Sequence, residues 1–90
     1  MSHTDPLIVE AKIKQALAKV LNIDASAITA DQRLVEDLKV DSFAGVELVF
    51  EVEDLTGIEI LTADFINLKT VGDVTQFICS RLESGDAQKQ

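Results

Sequence analysis

A chain of 90 residues, 47% of them apolar, suffices for one small domain with a buried core and is too short for a two-domain enzyme. The 16 Asp and Glu against 8 Lys and Arg leave a formal net charge of −8, and without a cluster of Lys and Arg there is nothing to bind a phosphate backbone, which excludes nucleic acid as a direct partner. No apolar run approaches the ~20 residues of a membrane-spanning helix, and an anionic lipid surface would repel so acidic a chain.

Asp5-Pro6 opens the first predicted element, because Asp accepts the free amide hydrogens of a first helical turn and Pro loses no intrahelical bond there. Val9, Ile13, Leu17, Val20 and Leu21 then recur at steps of three and four, with Glu10, Lys12, Lys14 and Lys19 among them. This is the period of a half-buried helix, and it stops near Asn22. Residues 22–41 carry no sustained period, yet Ile23, Ile28, Leu34, Val35, Leu38 and Val40 are scattered through them, which predicts a long loop pinned to the core at those positions. Loops of this length in compact domains are usually functional.

The loop ends at Asp41-Ser42, and from Ser42 to Thr56 the helical period returns. Val46, Leu48, Val49, Val52 and Leu55 give a broad apolar face, Glu47, Glu51 and Asp54 an acidic stripe opposite it, and either Asp41 or Ser42 is placed to cap the helix. Gly57 ends it as a left-handed stop. Gly57-Ile58-Glu59-Ile60-Leu61 alternates briefly, but so short a run with no partner strand makes no sheet. Thr62 to Leu68 predicts one or two helical turns with Phe65 and Ile66 inward, and Thr70 caps a last helix whose stripe is Val71, Val74, Ile78 and Leu82, followed by a polar tail that frays. The fold expected is all-α, a four-helix bundle of three longer helices and one short one with a long first loop. It forms one domain over 1–90, with its core at about 5–83 and flexible ends.

The negative charge is not spread evenly. Asp31, Glu36, Asp37, Asp41, Glu47, Glu51, Glu53, Asp54, Glu59 and Asp64 face only Arg33 and Lys39, whereas the segments on either side are balanced. A secretory signal is not expected at the N-terminus, and the one cysteine, Cys79, fits a reducing cytoplasm and a structural place beside the last helix's stripe. Ser42 has two readings, a helix cap or a hydroxyl available for chemistry. As an enzymatic nucleophile it lacks a base, since the only histidine, His3, stands in the terminal segment and takes no role, and the glycine of a nucleophile elbow is missing.

The run Leu34-Val35-Glu36-Asp37-Leu38-Lys39-Val40-Asp41-Ser42-Phe43-Ala44-Gly45-Val46-Glu47-Leu48-Val49 resembles the signature of acyl carrier proteins. Ile28-Thr29-Ala30-Asp31 before it, and Gly57-Ile58-Glu59-Ile60 and Thr70-Val71-Gly72-Asp73 after it, are similar to segments of the same family in the same order. The resemblance implies a carrier, not an enzyme. In it Ser42 receives a covalent 4'-phosphopantetheine arm from coenzyme A through a separate holo-acyl-carrier-protein synthase, and the arm's thiol carries acyl groups as thioesters. It also implies a monomer that docks its second helix on basic patches of acyl-loading and acyl-processing enzymes of fatty acid, polyketide or related biosynthesis. Asp41, Glu47, Glu51 and Asp54 would form the charged part of that surface, and Phe43 and Phe50 are either its apolar anchors or ordinary core residues. Glu53 and Asp73 read as solvated face. Lys39 stands where the family commonly has glycine, Phe43 where it has leucine, Ala44 at a position often acidic and Thr56 where an aromatic precedes Gly57. These departures favour a specialised, free-standing member. The competing reading is an unmodified acidic adaptor.

Overall fold

The structure is a computed structural model and describes residues 5–83, the side chain of Thr62 apart. His3 and the polar tail lie outside the described residues. Four helices follow in order, α1 (Pro6–Leu21), α2 (Ser42–Thr56), α3 (Thr62–Phe65) and α4 (Val71–Glu83), with a 3-10 turn at Ala25–Ala27 and no strand among the described residues. The all-α bundle of three longer helices and one short one is the expected architecture.

α1 begins where the Asp5 carboxylate accepts from the Leu7 amide at 3.0 Å, with Pro6 at the first helical position. It ends at Asn22, whose φ of 59 places it in the left-handed region while its amide and that of Ile23 both return to the Ala18 carbonyl. Asparagine tolerates this conformation better than most residues. Val9, Ile13 and Leu17 of α1, Leu48 and Val52 of α2, and Val71, Val74 and Ile78 of α4 meet in one core. α1 is its hub, since it packs against both α2 and α4. Thr75 is also buried on α4, where its hydroxyl donates to the Val71 carbonyl, so the face of α4 is broader than its aliphatic stripe.

The long loop is pinned by fewer residues than its composition suggests. Ile28, Leu34 and Val40 are buried and Leu38 is half-buried, but Ile23 and Val35 face solvent. Backbone bonding supplies the remaining order. The Leu34 amide donates to the Lys69 carbonyl at 2.8 Å, Val71 to Gln32 at 3.1 Å and Gly72 to Ala30 at 2.7 Å, so the loop is clasped to the start of α4. A Cβ at Gly72 would lie 3.2 Å from the Ala30 carbonyl oxygen, so the approach is tight for any residue larger than glycine. Within the loop, the Arg33 carbonyl receives the amides of Asp37 and Leu38, and Val40 donates back to Leu34 at 2.8 Å.

Two acids first read as solvated surface are structural. Asp73 accepts from the Lys69 and Thr70 amides while the Thr70 hydroxyl accepts from the Asp73 amide, a reciprocal cap on α4. Half-buried Glu53 accepts from the Ile60 amide at 2.7 Å and so holds the segment after Gly57 against α2, with Ile58 and Ile60 turned into the core. Thr56 joins the same turn, its hydroxyl donating to the Val52 carbonyl and accepting from the Ile58 amide. Two apolar residues are likewise corrected. Val46 is half exposed, and Ile66 faces solvent while Phe65 alone turns inward, because α3 covers only part of α2's apolar face.

Candidate functional site

The loop delivers the chain to α2 through Lys39, Val40 and Asp41. Lys39 takes a φ of 62, the left-handed conformation that glycine adopts without strain, so the turn persists although its usual residue is absent. Val40 is buried and anchors the segment from below. Asp41 then caps α2, its carboxylate accepting from the Ala44 amide at 2.8 Å.

Capping by Asp41 decides what Ser42 does. As the first residue of α2, Ser42 is exposed, and its hydroxyl makes no hydrogen bond among the described residues. The capping role that serine often fills is therefore taken by its neighbour, and the hydroxyl stays available to an incoming molecule.

Beside Ser42 opens a cavity of about 660 Å³, between α2, the loop and the α3 region. Ser42 and Asp41 stand at it, Val46 and Val49 line it from α2, Val40 and Leu34 from the loop, and Ile60, Phe65 and Leu68 from the far side. Gly45 lies one turn into α2, and a Cβ there would be 3.5 Å from the Phe65 ring, so the ring packs against the bare helix backbone next to the serine. Glu53 also lines this space, but one of its oxygens is held by Ile60. Periodicity places Val46 on α2's apolar face and Phe65 inward on a short turn, and it gives Ile60 and Leu68 no place at a site. Their convergence depends on how α3 meets α2, for which periodicity carries no signal.

The acidic stripe runs along the outer face of α2. Glu47 and Asp54 are exposed, whereas Glu51 is half-buried and bonded by Lys19 of α1, with 2.8 Å between Nζ and Oε2. The hydrogen bond and charge of Glu51, with a further contribution from Asp54, raise the Lys19 pKa above its ordinary value. Phe43 is 72% exposed and Phe50 64%, which removes both from the core. The site residues expected from the sequence thus lie at the cap of α2 and along it, except that Glu51 has an internal partner the sequence did not indicate. Cys79 is half-buried against the core, and burial, then the charges of Glu83 and Asp5, push its thiol pKa up.

Among the described residues no helix is long and apolar enough to cross a membrane. Residues 11–78 match the family model described as the phosphopantetheine attachment site. The acyl carrier protein of Rickettsia canadensis (strain McKiel) is 44% identical over 81 residues, covering 90% of this chain and 92% of that protein. The acyl carrier protein of Rickettsia massiliae (strain Mtu5) is 43% identical over 81 residues. That of Rhodococcus erythropolis (strain PR4 / NBRC 100887) is 35% identical over 88 residues, 98% of this chain and 94% of that protein. Proteins of this kind are carriers and not enzymes, they work with biosynthetic enzymes, and their cofactor is covalently attached 4'-phosphopantetheine. With the match spanning α1 to α4 and the relatives aligned over nearly their whole lengths, the chain belongs to the acyl carrier protein family.

Proposed function

We propose that Ser42 is the attachment point of the 4'-phosphopantetheine arm. The observation that carries this reading is the pairing of Asp41 and Ser42, in which the aspartate takes the cap and the serine hydroxyl is left exposed at the helix start, without a hydrogen bond among the described residues. Attachment forms a bond from the serine oxygen to the pantetheine-side phosphorus of coenzyme A as the pyrophosphate link breaks, the adenosine bisphosphate portion leaving and the hydroxyl proton passing to a base on the synthase; it needs an accessible hydroxyl, and Ser42 supplies one without disturbing α2. Once attached, the arm supplies a thiol that holds acyl groups as thioesters. The chain's own residues position the arm's root, present the docking face, and offer a mainly apolar cavity beside Ser42 in which an aliphatic acyl chain is shielded from water.

The partners in this reading are a holo-acyl-carrier-protein synthase and acyl-loading and acyl-processing enzymes of fatty acid, polyketide or related biosynthesis, whose basic patches meet Asp41, Glu47, Glu51 and Asp54, with Phe43 and Phe50 as apolar anchors. Steering between opposite charges speeds encounter and is screened by salt, which suits a shuttle that exchanges partners. The departures at Lys39, Phe43 and Ala44 stand beside Ser42 and favour a member serving a dedicated pathway. Residues 1–90 act as one carrier domain, a monomer in the cytoplasm.

Incubation with coenzyme A and a holo-acyl-carrier-protein synthase is expected to add one phosphopantetheine to the protein by intact mass. Ser42→Ala should abolish the gain. A gain that survives Ser42→Ala would overturn the assignment, and a wild-type chain that gains nothing would return the protein to the adaptor reading.

A further inference from the structure

Glu47, Glu51 and Asp54 project from α2 within about 60° of one another at 100° per residue, and on sequence grounds they are equivalent. The structure separates them. Lys19 reaches across from α1 and bonds Glu51, while Glu47 and Asp54 stay exposed. The Lys19 side chain is 72% exposed and that of Glu51 only 23%, so Lys19 is the more accessible partner of the pair. A shallow groove of about 520 Å³ joins Lys19, Val20, Glu47, Phe50, Glu51 and Asp54. A cation approaching its centre meets the ammonium before the carboxylate of Glu51.

We propose that Lys19 is a specificity-determining residue for docking, holding Glu51 in an internal ion pair so that a basic partner engages α2 at two separate anionic points, Glu47 and Asp54, with Phe50 between them. These two residues are two helical turns apart, about 10 Å along the axis and nearly in line. The partner that fits presents two lysines or arginines at that spacing with an apolar side chain between them, and no cation opposite Glu51. Lys19 thereby shifts the choice among basic enzymes and extends the docking face onto α1. The proposal rests on the reading that this helix docks on basic enzymes, and it removes Glu51 from the acids that meet the partner directly.

The test is a double-mutant cycle on binding of the chain to a holo-acyl-carrier-protein synthase, followed by fluorescence anisotropy at low ionic strength without coenzyme A. In the wild-type background Glu47→Gln should weaken binding about fivefold, and the double variant Lys19→Gln/Glu51→Gln, which removes the pair without leaving either charge uncompensated, should bind within about twofold of wild type. Lys19→Gln should tighten binding about three- to tenfold, and in that background Glu51→Gln should weaken it at least about fivefold, because the carboxylate has become available to the partner. Lys19→Met repeats the test with a second neutral side chain, and a thermal melt of each variant confirms folding. A double variant that binds more than about fivefold more weakly than wild type, or weaker binding by Lys19→Gln, would overturn the proposal while leaving the Ser42-dependent mass gain in place. A wild-type chain that neither binds the synthase nor gains mass would overturn the carrier reading and this proposal with it.

Discussion

Three residues before Ser42, the backbone of Lys39 turns left-handed at a φ of 62. An L-residue with a Cβ is disfavoured there by roughly 1–2 kcal/mol, and glycine escapes that cost but brings a more disordered unfolded chain, worth roughly 0.4–1 kcal/mol in the other direction. Lys39→Gly is therefore expected to stabilise the fold by about 0.5–1 kcal/mol, read as a higher denaturation midpoint at unchanged m-value. A lower midpoint would mean that the lysine side chain contributes contacts that outweigh the strain. That lysine occupies a glycine position was visible in the sequence, whereas the retention of the glycine's conformation was not. Cys79 is the converse case. Its place beside the last stripe was readable from spacing, and burial that raises its thiol pKa disfavours the thiolate at neutral pH, consistent with a packing role.

Helix starts were legible because their chemistry is local. Asp5 with Pro6, Asp41 before Ser42 and Thr70 with Asp73 each place the capping group within three residues of the amide it serves. Contacts over longer spans were not legible, and Glu53 is the clearest example, since it reaches an amide seven residues on across the left-handed Gly57. Its loss strands the half-buried Ile60 amide, so Glu53→Ala is expected to cost about 1–3 kcal/mol of stability, whereas Glu47→Ala on the open face of the same helix should stay within about 0.5 kcal/mol. Urea denaturation of the two variants checks the contrast, and equal effects would show that the Glu53 bond is dispensable. Periodicity misled at Val46 and Ile66 for a related reason. It marks which residues share a face but not how far a neighbouring element covers that face, and α3, four residues long, covers little.

At the scale of the whole molecule, α1 holds α2 and α4 through separate interfaces, while α3 packs chiefly on α2 and closes one side of the cavity. Ligand-dependent change is therefore expected near α3 and not at the hub. Loading an acyl group should shift the resonances of Val46, Val49, Ile60, Phe65 and Leu68 relative to the holo protein, with Ile13, Leu17 and Val74 nearly unmoved. Unchanged cavity resonances would remove burial of the acyl chain from the proposed function, and large shifts at Ile13 and Leu17 would relocate it into the main core. The bundle and its long loop were within reach of the sequence because apolar spacing and caps specify helices one at a time. The cavity was not, because it arises where α2, the loop and the segment from Ile60 to Leu68 fail to fill the space between them.

The clasp between the loop and α4 also orders events in time. Each long helix is built from contacts a few residues apart, which form fast, but the bonds from Leu34 to Lys69, Gln32 to Val71 and Ala30 to Gly72 close a long stretch of chain and bear its loop entropy. The segment that leads into Ser42 thus acquires its final course only when the start of α4 arrives. During synthesis, a chain that has emerged only as far as α3 presents its serine on an unclasped loop, and the segment leading into it is completed when α4 arrives.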